Sequence, residues 1–311
     1  MRLRRPLVTL LLAAGTLLAT ALPAQAAGPG YTALGDSYSS GVGTREYYAD
    51  SGSCQRSKHA YPTLDSGRLG ATLTFVACSG ARVADVQNNQ LGALNSTTAY
   101  VTVSVGGNDA GFADVITQCA KPWPWTCTSE INTANAFIRN TLPGRLDGLY
   151  SQIRSRAPGA RVVVVGYPRL FQGESCNTLA RISAAEASAL NGTADLLATT
   201  TAGRASAHGF AFVDSRSAFT GHAVCSNSEW LNGLSNPISE SYHPNRNGHV
   251  GYANIVEPAL RGSVAPLFRD PVPSLTDPAE VAAVLGADYR RAAAVARQEQ
   301  LDAERHASVP E

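Results

Sequence analysis

Four consecutive valines, Val162 to Val165, restrict the fold of this chain more than any other feature. A run that is apolar at every position is typical of a strand buried on both faces of a parallel sheet. Parallel neighbours are joined by long crossover connections, which are usually helices. The run therefore predicts a sheet that is covered by helices on both sides.

Apolar runs and longer helical patterns alternate along the chain. The predicted strands are Tyr31–Leu34, Thr72–Ala77, Tyr100–Val105, Ala160–Gly166 and Phe210–Val213. The predicted helices are Ile131–Asn140, Arg145–Arg156 and Ser183–Ala207. The last begins with a capping box, because Glu186 follows Ser183 by three residues. This alternation favours a parallel α/β sheet, in which the active site lies at the carboxyl ends of the strands.

Residues 1–27 have the parts of a secretory signal peptide. Arginines at positions 2, 4 and 5 precede an apolar run from Pro6 to Leu22 and then small residues. Cleavage is expected after Ala26 or Ala27. The apolar run is short for a membrane span, so no stable membrane insertion is expected. The sequence therefore predicts a secreted, extracellular protein.

The remaining chain divides near residue 261. Residues 28–261 are long enough for one α/β domain with a sizeable core. Residues 262–311 are predicted to form a proline-containing linker and a C-terminal helical appendage, with Asp277-Pro278 at the helix start. The apolar stripe of this helix is narrow, which favours a loosely attached helix, and a helix that docks on a partner is the alternative.

Cysteine count and charge exclude several kinds of protein. The six cysteines, an even number in an exported chain, predict disulfides, although spacing alone does not select the pairing. No metal site is expected, because no Cys-x-x-Cys pair occurs. The net charge of +1 without a basic stripe argues against nucleic acid as a partner. No cofactor is expected, and the protein is expected to be a monomer.

A serine follows the first predicted strand in the segment Gly35-Asp36-Ser37. Gly35 permits a tight turn, so Ser37 would stand at the sheet edge beside free backbone N–H groups. Such a serine is suited to nucleophilic attack. Gly-Asp-Ser also occurs in ordinary turns, which is the competing interpretation.

Two further strand ends carry candidate hydrogen-bond donors. Gly80 follows the second strand, where a glycine lets its backbone N–H approach a ligand closely. Asn108 follows the third strand after two glycines and offers a side-chain amide. Each residue alone is more often a structural turn residue. Together they could supply two donors for an oxyanion.

A histidine near the end of the domain supplies a candidate base. His243 precedes Pro244, which favours an extended conformation in a loop just before a helix. A histidine held in a loop can reach a serine and accept its proton. An unperturbed histidine would lose this function as the pH falls through about 6.5.

These four segments resemble the blocks of the GDSL, or SGNH, hydrolase family, and most closely its secreted actinomycete lipase, esterase and phospholipase branch. The resemblance covers about Tyr31 to Leu260. It implies a three-layer α/β/α sandwich with a five-stranded parallel sheet and three sequential disulfides. The implied catalytic residues are Ser37 and His243, with oxyanion donors from Ser37, Gly80 and Asn108. The implied disulfides are Cys54–Cys78, Cys119–Cys127 and Cys176–Cys225.

One position departs from the family pattern. The family usually has an aspartate three residues before the histidine, where this chain has Glu240. The extra methylene would make the carboxylate overshoot unless the loop shifts. The resemblance to the actinomycete branch, whose members use a main-chain carbonyl beside the histidine, favours a carbonyl of Glu240 or Ser241 for orienting His243, and Glu240 would then be a surface carboxylate.

The expected activity is hydrolysis of acyl esters, from lipids or small esters, through a serine acyl-enzyme. A carbohydrate or peptidoglycan O-acetyl esterase is the enzymatic alternative, and a catalytically dead binding module on the same scaffold is the non-enzymatic one. The loop between Cys119 and Cys127 contains Trp123 and Trp125. These rings could form an apolar wall for an acyl chain or could simply pack on the domain.

Overall fold

The structure is a computed structural model that describes residues 28–122, 124–172 and 182–262. Its strands form one parallel sheet in the order β2-β1-β3-β4-β5. The strands are β1 (Gly30–Gly35), β2 (Thr72–Phe75), β3 (Thr98–Ser104), β4 (Arg161–Val165) and β5 (Ala211–Val213). Each predicted strand is confirmed, with bounds shifted by no more than two residues. The valines of β4 are buried on both faces, as their uninterrupted run predicts.

Helices cover both faces of the sheet. They are α1 (Ser37–Ser40), α2 (Tyr61–Leu69), α3 (Val83–Asp85), α4 (Phe112–Cys119), α5 (Thr128–Asn140), α6 (Leu142–Arg156), α7 (Ala184–Ala207), α8 (Ser215–Ala218) and α9 (Arg246–Arg261). Short 3₁₀ or π turns occupy Ala49–Cys54, Val86–Gln90, Leu91–Ala93 and Ile238–Glu240. One layer packs α2 and α8 against α9, and the other packs α7 against α5 and α6. The predicted three-layer sandwich is therefore confirmed.

The predicted capping box of α7 is present. Ser183 Oγ accepts the N–H of Glu186 at 3.2 Å, and the Glu186 carboxylate accepts the N–H of Ser183 at 3.0 Å. None of the helices in the described ranges combines the length and the apolar character that crossing a bilayer requires. The predicted signal peptide and the appendage beyond residue 262 lie outside the described residues.

The sequence predicted a helix after His243 but not the extent of α9, because its glycines and Pro258 lower the helix propensity. Two of its glycines are required by packing. A Cβ on Gly248 would lie 2.3 Å from the carbonyl oxygen of Trp230, and one on Gly251 would lie 2.3 Å from the Trp230 ring. The glycines thus let the segment around Trp230 lie directly on α9. This contact anchors the loop that leads to His243.

Asp65 on α2 is a buried acid that should make stability depend on pH. It is fully buried, neither carboxylate oxygen has a hydrogen-bond partner among the described residues, and burial raises its pKa to about 8. The folded state therefore keeps a proton that the unfolded chain releases above about pH 4, so stability falls as the pH rises from about 4 to 8.

Replacing Asp65 by Asn should remove this loss of stability at high pH. We expect Asp65→Asn to raise the free energy of unfolding at pH 9 by about 2–5 kcal/mol and to change it little at pH 4. Urea unfolding at both pH values measures the effect. Asp114→Asn, which changes an exposed acid on α4, is the matched control and should change the free energy of unfolding little. An equal effect of Asp65→Asn at both pH values would contradict the interpretation.

Candidate active site

Ser37 lies at the point where the sheet reverses its strand order, between β1 and β3. Gly35 ends β1 with a φ of 121°, and a Cβ there would lie 2.3 Å from the carbonyl oxygen of Ser104 on β3. Asp36 caps α1 by accepting the N–H of Tyr38 at 3.0 Å. Ser37 is the first residue of this helix, so its own N–H has no partner within the helix.

His243 contacts the serine directly. Its Nε2 lies 2.8 Å from Ser37 Oγ, and its Nδ1 lies 2.9 Å from the main-chain oxygen of Ser241. A carbonyl can only accept a hydrogen bond, so Nδ1 carries the ring proton and Nε2 is free to accept the proton of the serine. The pair therefore has the geometry of a nucleophile and its base.

The loop that carries His243 is held from both sides. Asn232 N–H donates to the His243 carbonyl, and Tyr242 N–H donates to the Asn232 carbonyl, each at 2.9 Å. Tyr38 OH donates to the Tyr242 carbonyl at 2.7 Å, which ties the loop to α1. Asn245 then caps α9 by accepting the N–H of Gly248 at 3.0 Å. These bonds fix the histidine relative to the serine.

Asn108 lies in the same site as Ser37, whereas Gly80 does not line the cavity beside that serine. Asn108 lines the cavity beside Ser37, and its Nδ2 donates to the Ala81 carbonyl at 3.1 Å. One N–H of this amide is therefore held and the second is available. Gly80, with a φ of 78°, occupies the adjoining exposed turn after β2.

Asp109 fixes the turn that presents Asn108. Its side chain is fully buried, and its two oxygens accept the N–H of Val83 at 2.8 Å and Arg145 Nη1 at 3.0 Å. The turn after β3 is thereby attached to the start of α3 and to α6. No local signal in the sequence identifies Asp109 as a positioning residue, because both of its partners are distant in the chain.

A cavity of about 340 Å³ opens beside the serine and the histidine. Its lining is mostly apolar and includes Phe112, Ile116 and Ala120 from α4 and its end, Ile138 from α5, Ala194 and Leu197 from α7, and Leu234 and Ile238 from the histidine loop. Ile138 is fully buried, whereas Ile238 is 69% exposed. The cavity thus leads from solvent into the apolar interior.

Of the two tryptophans that could have formed an apolar wall, only Trp125 lies within the described residues, and it does not contribute to this lining. Trp125 is 61% exposed, and Trp123 lies outside the described residues. Helix α4, which precedes the loop, provides the wall instead. Its apolar positions at Phe112, Val115, Ile116 and Cys119 follow helical spacing, a signal that could have identified it.

Comparison with known proteins assigns the chain to a family. The model of the GDSL-like lipase/acylhydrolase family matches residues 33–250. The chain belongs to this family. It is 50% identical over 252 residues to Lipase 1 of Streptomyces coelicolor, covering 79% of this chain and 93% of that lipase.

Two solved structures of similar proteins agree with this assignment. The extracellular lipase of Streptomyces rimosus superposes with a TM-score of 0.72 at 46% identity, covering 75% of this chain and 100% of that one. The phospholipase A1 of Streptomyces albidoflavus NA297 superposes with a TM-score of 0.71 at 47% identity, covering 76% and 100%. This GDSL-like acylhydrolase is an ester hydrolase, as the resemblance of its four segments implied.

The prediction that Glu240 is a surface carboxylate is wrong. The residue is only 2% exposed. Tyr47 OH donates to its Oε1 at 2.6 Å, and Arg45 Nε lies 3.6 Å from its Oε2. Its carboxylate therefore turns toward the segment around residue 46, while the Ser241 carbonyl contacts His243. The longer side chain is accommodated because that segment supplies a donor and a cation.

Two of the three implied disulfides are present in this acylhydrolase. Cys54 and Cys78 are bonded, and so are Cys119 and Cys127. Cys225 is also disulfide-bonded, but Cys176, its predicted partner, lies outside the described residues, so that pair stays a prediction. The first disulfide adjoins the Gly80 turn, where Ser79 N–H also donates to the Cys54 carbonyl at 3.1 Å.

Among the described residues, one group of side chains has the spacing of metal ligands: Cys119, Cys127 and Glu186. The two sulfurs are bonded to each other, and Glu186 caps α7. Neither cysteine therefore offers a thiolate. This group is explained by the fold alone.

The acidic limit of activity should follow His243. Burial lowers the pKa of this histidine to about 4, although its hydrogen bond to Ser241 acts in the opposite direction. A histidine accepts a proton only when it is neutral, so activity should be lost as the pH falls through about 4. This midpoint lies below the value of about 6.5 that an unperturbed histidine would give.

The pH profile of kcat/KM between pH 3.5 and 9 measures this limit. Asp36 is the relevant control, because burial raises the pKa of its carboxyl to about 7 although the hydrogen bond from Tyr167 lowers it. A midpoint near 7 that disappears in Asp36→Asn would assign the limit to Asp36. A midpoint at 6.5 or above that persists in Asp36→Asn would contradict the effect of burial on His243.

Proposed function

We propose that this acylhydrolase is a secreted lipase or esterase, possessing phospholipase A-type activity in its substrate range, that acts through a serine acyl-enzyme. The observation that carries the proposal is the contact series from Ser37 Oγ through His243 to the Ser241 carbonyl, beside an apolar cavity. The names of the Streptomyces lipases and of the phospholipase A1 support the substrate class.

In the proposed reaction, Ser37 Oγ attacks the ester carbonyl carbon while His243 Nε2 takes the serine proton. The resulting oxyanion accepts hydrogen bonds from Ser37 N–H and Asn108 Nδ2, each worth about 2.7–4 kcal/mol of barrier. The N–H of Gly80, which does not line the cavity, is the third donor that the family resemblance implies. His243 returns the proton to the leaving alcohol, and the acyl group stays on Ser37. Water then attacks the acyl-enzyme by the same route and releases the acid.

The cavity supports an acyl chain as the group that is buried. A volume of about 340 Å³ is at the lower end of ligand pockets, which are about 300–1,000 Å³. An acetyl group would leave most of this apolar lining without a partner. Each methylene that enters the cavity should contribute about 0.8 kcal/mol, or about fourfold in kcat/KM, until the cavity is filled.

A panel of p-nitrophenyl esters from C2 to C16, together with a phospholipid, tests the proposal. We expect kcat/KM to rise with chain length and then to level off. Ala194→Leu, which enlarges a residue of the lining, should lower the turnover of the long esters and preserve that of the C2 ester. Ala189→Leu, an exposed change on the same helix, is the matched control. A clear preference for acetyl esters would favour an O-acetyl esterase instead.

The domain limits and location are part of the same proposal. Residues 1–27 would be removed on export, residues 28–261 would form a monomeric catalytic domain, and residues 262–311 would be dispensable for turnover. In support, the family match ends at residue 250, and α9 ends at Arg261 with Gly262 as a left-handed cap. The solved S. rimosus relative is an extracellular lipase.

A further inference from the structure

We propose that Tyr167 is a positioning residue. Its hydroxyl group fixes the turn after β1, which carries Ser37, relative to the turn after β3, which carries Asn108. Tyr167 follows β4 by two residues, and its ring lines the cavity. The inference rests on the proposed function, because it concerns the placement of Ser37 and Asn108. Nothing in its local sequence distinguishes this tyrosine from an ordinary packed aromatic.

The hydroxyl of Tyr167 lies between the two turns. It donates to Asp36 Oδ2 at 2.5 Å, and it accepts the N–H of Gly107 at 3.4 Å. Asp36 directly precedes Ser37, and Gly107 directly precedes Asn108. One oxygen atom therefore contacts the neighbours of both the nucleophile and the oxyanion donor.

Asp36 is suited to transmit this contact to the serine. It is only 1% exposed, and its second oxygen accepts the N–H of Tyr38 and thereby caps α1. Burial keeps the pKa of Tyr167 well above its usual value, so the hydroxyl stays protonated and continues to donate. Above about pH 7, where the Asp36 carboxyl is ionised, each of its oxygens accepts one hydrogen bond, and both bonds constrain the helix that begins with Ser37.

The ring of Tyr167 has a separate role from its hydroxyl. It packs edge-on against Tyr38 with 5.0 Å between ring centroids, and Tyr38 in turn lies 5.3 Å from the His243 ring. Substitution by phenylalanine preserves this packing and the cavity wall. It therefore isolates the contribution of the hydroxyl.

Tyr167→Phe should lower kcat by about 10- to 100-fold and leave KM within twofold, because misplacement of reacting groups by about 1 Å costs about 10²-fold in rate. The rate of labelling by a fluorophosphonate should fall with kcat. Tyr150→Phe is the matched control, since Tyr150 is fully buried and its hydroxyl has no hydrogen-bond partner in the described part of the chain. Its kcat should be unchanged.

A double-mutant cycle with Asp36→Asn distinguishes positioning from general packing. If Tyr167 acts through Asp36, Tyr167→Phe should have little further effect in the Asp36→Asn background. Losses that multiply would overturn the proposal, and so would a kcat within twofold of the parent in Tyr167→Phe. If Tyr167→Phe does not fold, Asp36→Asn alone still tests the proposal. An unchanged kcat in Asp36→Asn would overturn the proposal that Tyr167 acts through Asp36.

Ser37→Ala separates this inference from the proposed function. Retained turnover in Ser37→Ala would refute the serine mechanism and the role of Tyr167 together. An inactive Ser37→Ala beside a fully active Tyr167→Phe would refute only the role of Tyr167. Thermal unfolding of each variant confirms that the comparison is made between folded proteins.

Discussion

Replacing either Ser37 or His243 by alanine should reduce ester turnover by about 10⁶-fold, because removal of one member of such a pair disables the whole unit. Ser37 Oγ and His243 Nε2 are 2.8 Å apart. The double variant should be no less active than either single one. Initial rates with a p-nitrophenyl ester, followed over long incubation, measure the loss.

A second serine and a second histidine serve as matched controls. Ser39→Ala removes a neighbouring hydroxyl of α1, which bonds to Tyr61 OH at 2.9 Å, and should keep turnover within a few-fold. His222→Ala removes a histidine that stacks on Trp230 at 3.8 Å and should behave similarly. Fluorophosphonate labelling should be absent in Ser37→Ala and present in both controls. Substantial turnover by folded Ser37→Ala would exclude the serine mechanism.

Asn108→Ala should lower kcat by about 10²- to 10³-fold, the usual cost of removing one oxyanion donor. KM should change little, because the ester carbonyl of the bound substrate carries much less charge than the oxyanion. Asn108→Asp keeps the shape and replaces the donor by a carboxylate, so it should be at least as damaging. Steady-state kinetics of both variants provide the test.

Asn108 also donates to the Ala81 carbonyl, so a structural control is required. Asn191 is suitable, because it makes two main-chain bonds to Phe171 away from the cavity lining. Asn191→Ala should lower the unfolding temperature and leave kcat within a few-fold. If Asn108→Ala behaves like Asn191→Ala, with stability lost and kcat retained, Asn108 is a structural residue of the turn.

The sheet and the positions of Ser37 and Asn108 at its edge could be predicted because their signals are local. An uninterrupted valine run defines β4, and the residues that end strands necessarily meet at one edge of a parallel sheet. Ser37 and Asn108 are therefore brought together by the topology alone. His243 needed a further signal, which the following proline and the family pattern provided.

The remaining features depend on contacts between distant parts of the chain. Glu240 is buried because Tyr47 and Arg45, nearly 200 positions earlier, receive its carboxylate, and no local pattern reveals such a partner. Tyr167 gains its importance from the close approach of the turns after β1 and β3. The cavity wall comes from α4 and α7, whose apolar faces indicate burial but not the open space between them.

The acceptor that faces His243 Nδ1 is a main-chain oxygen, and every residue type at position 241 would supply one. A saturation mutational scan should therefore find two indispensable side chains at the proton-transfer step, whereas substitutions at Ser241 should lose only the hydrogen bond that its Oγ accepts from Ser235 N–H and the packing of a small buried side chain. Comparative surveys that search for a third acidic residue would overlook sites of this kind. Inactivating mutations therefore have one codon fewer to affect. In exchange, the protonated imidazole faces a neutral carbonyl, which stabilises it less than a carboxylate would.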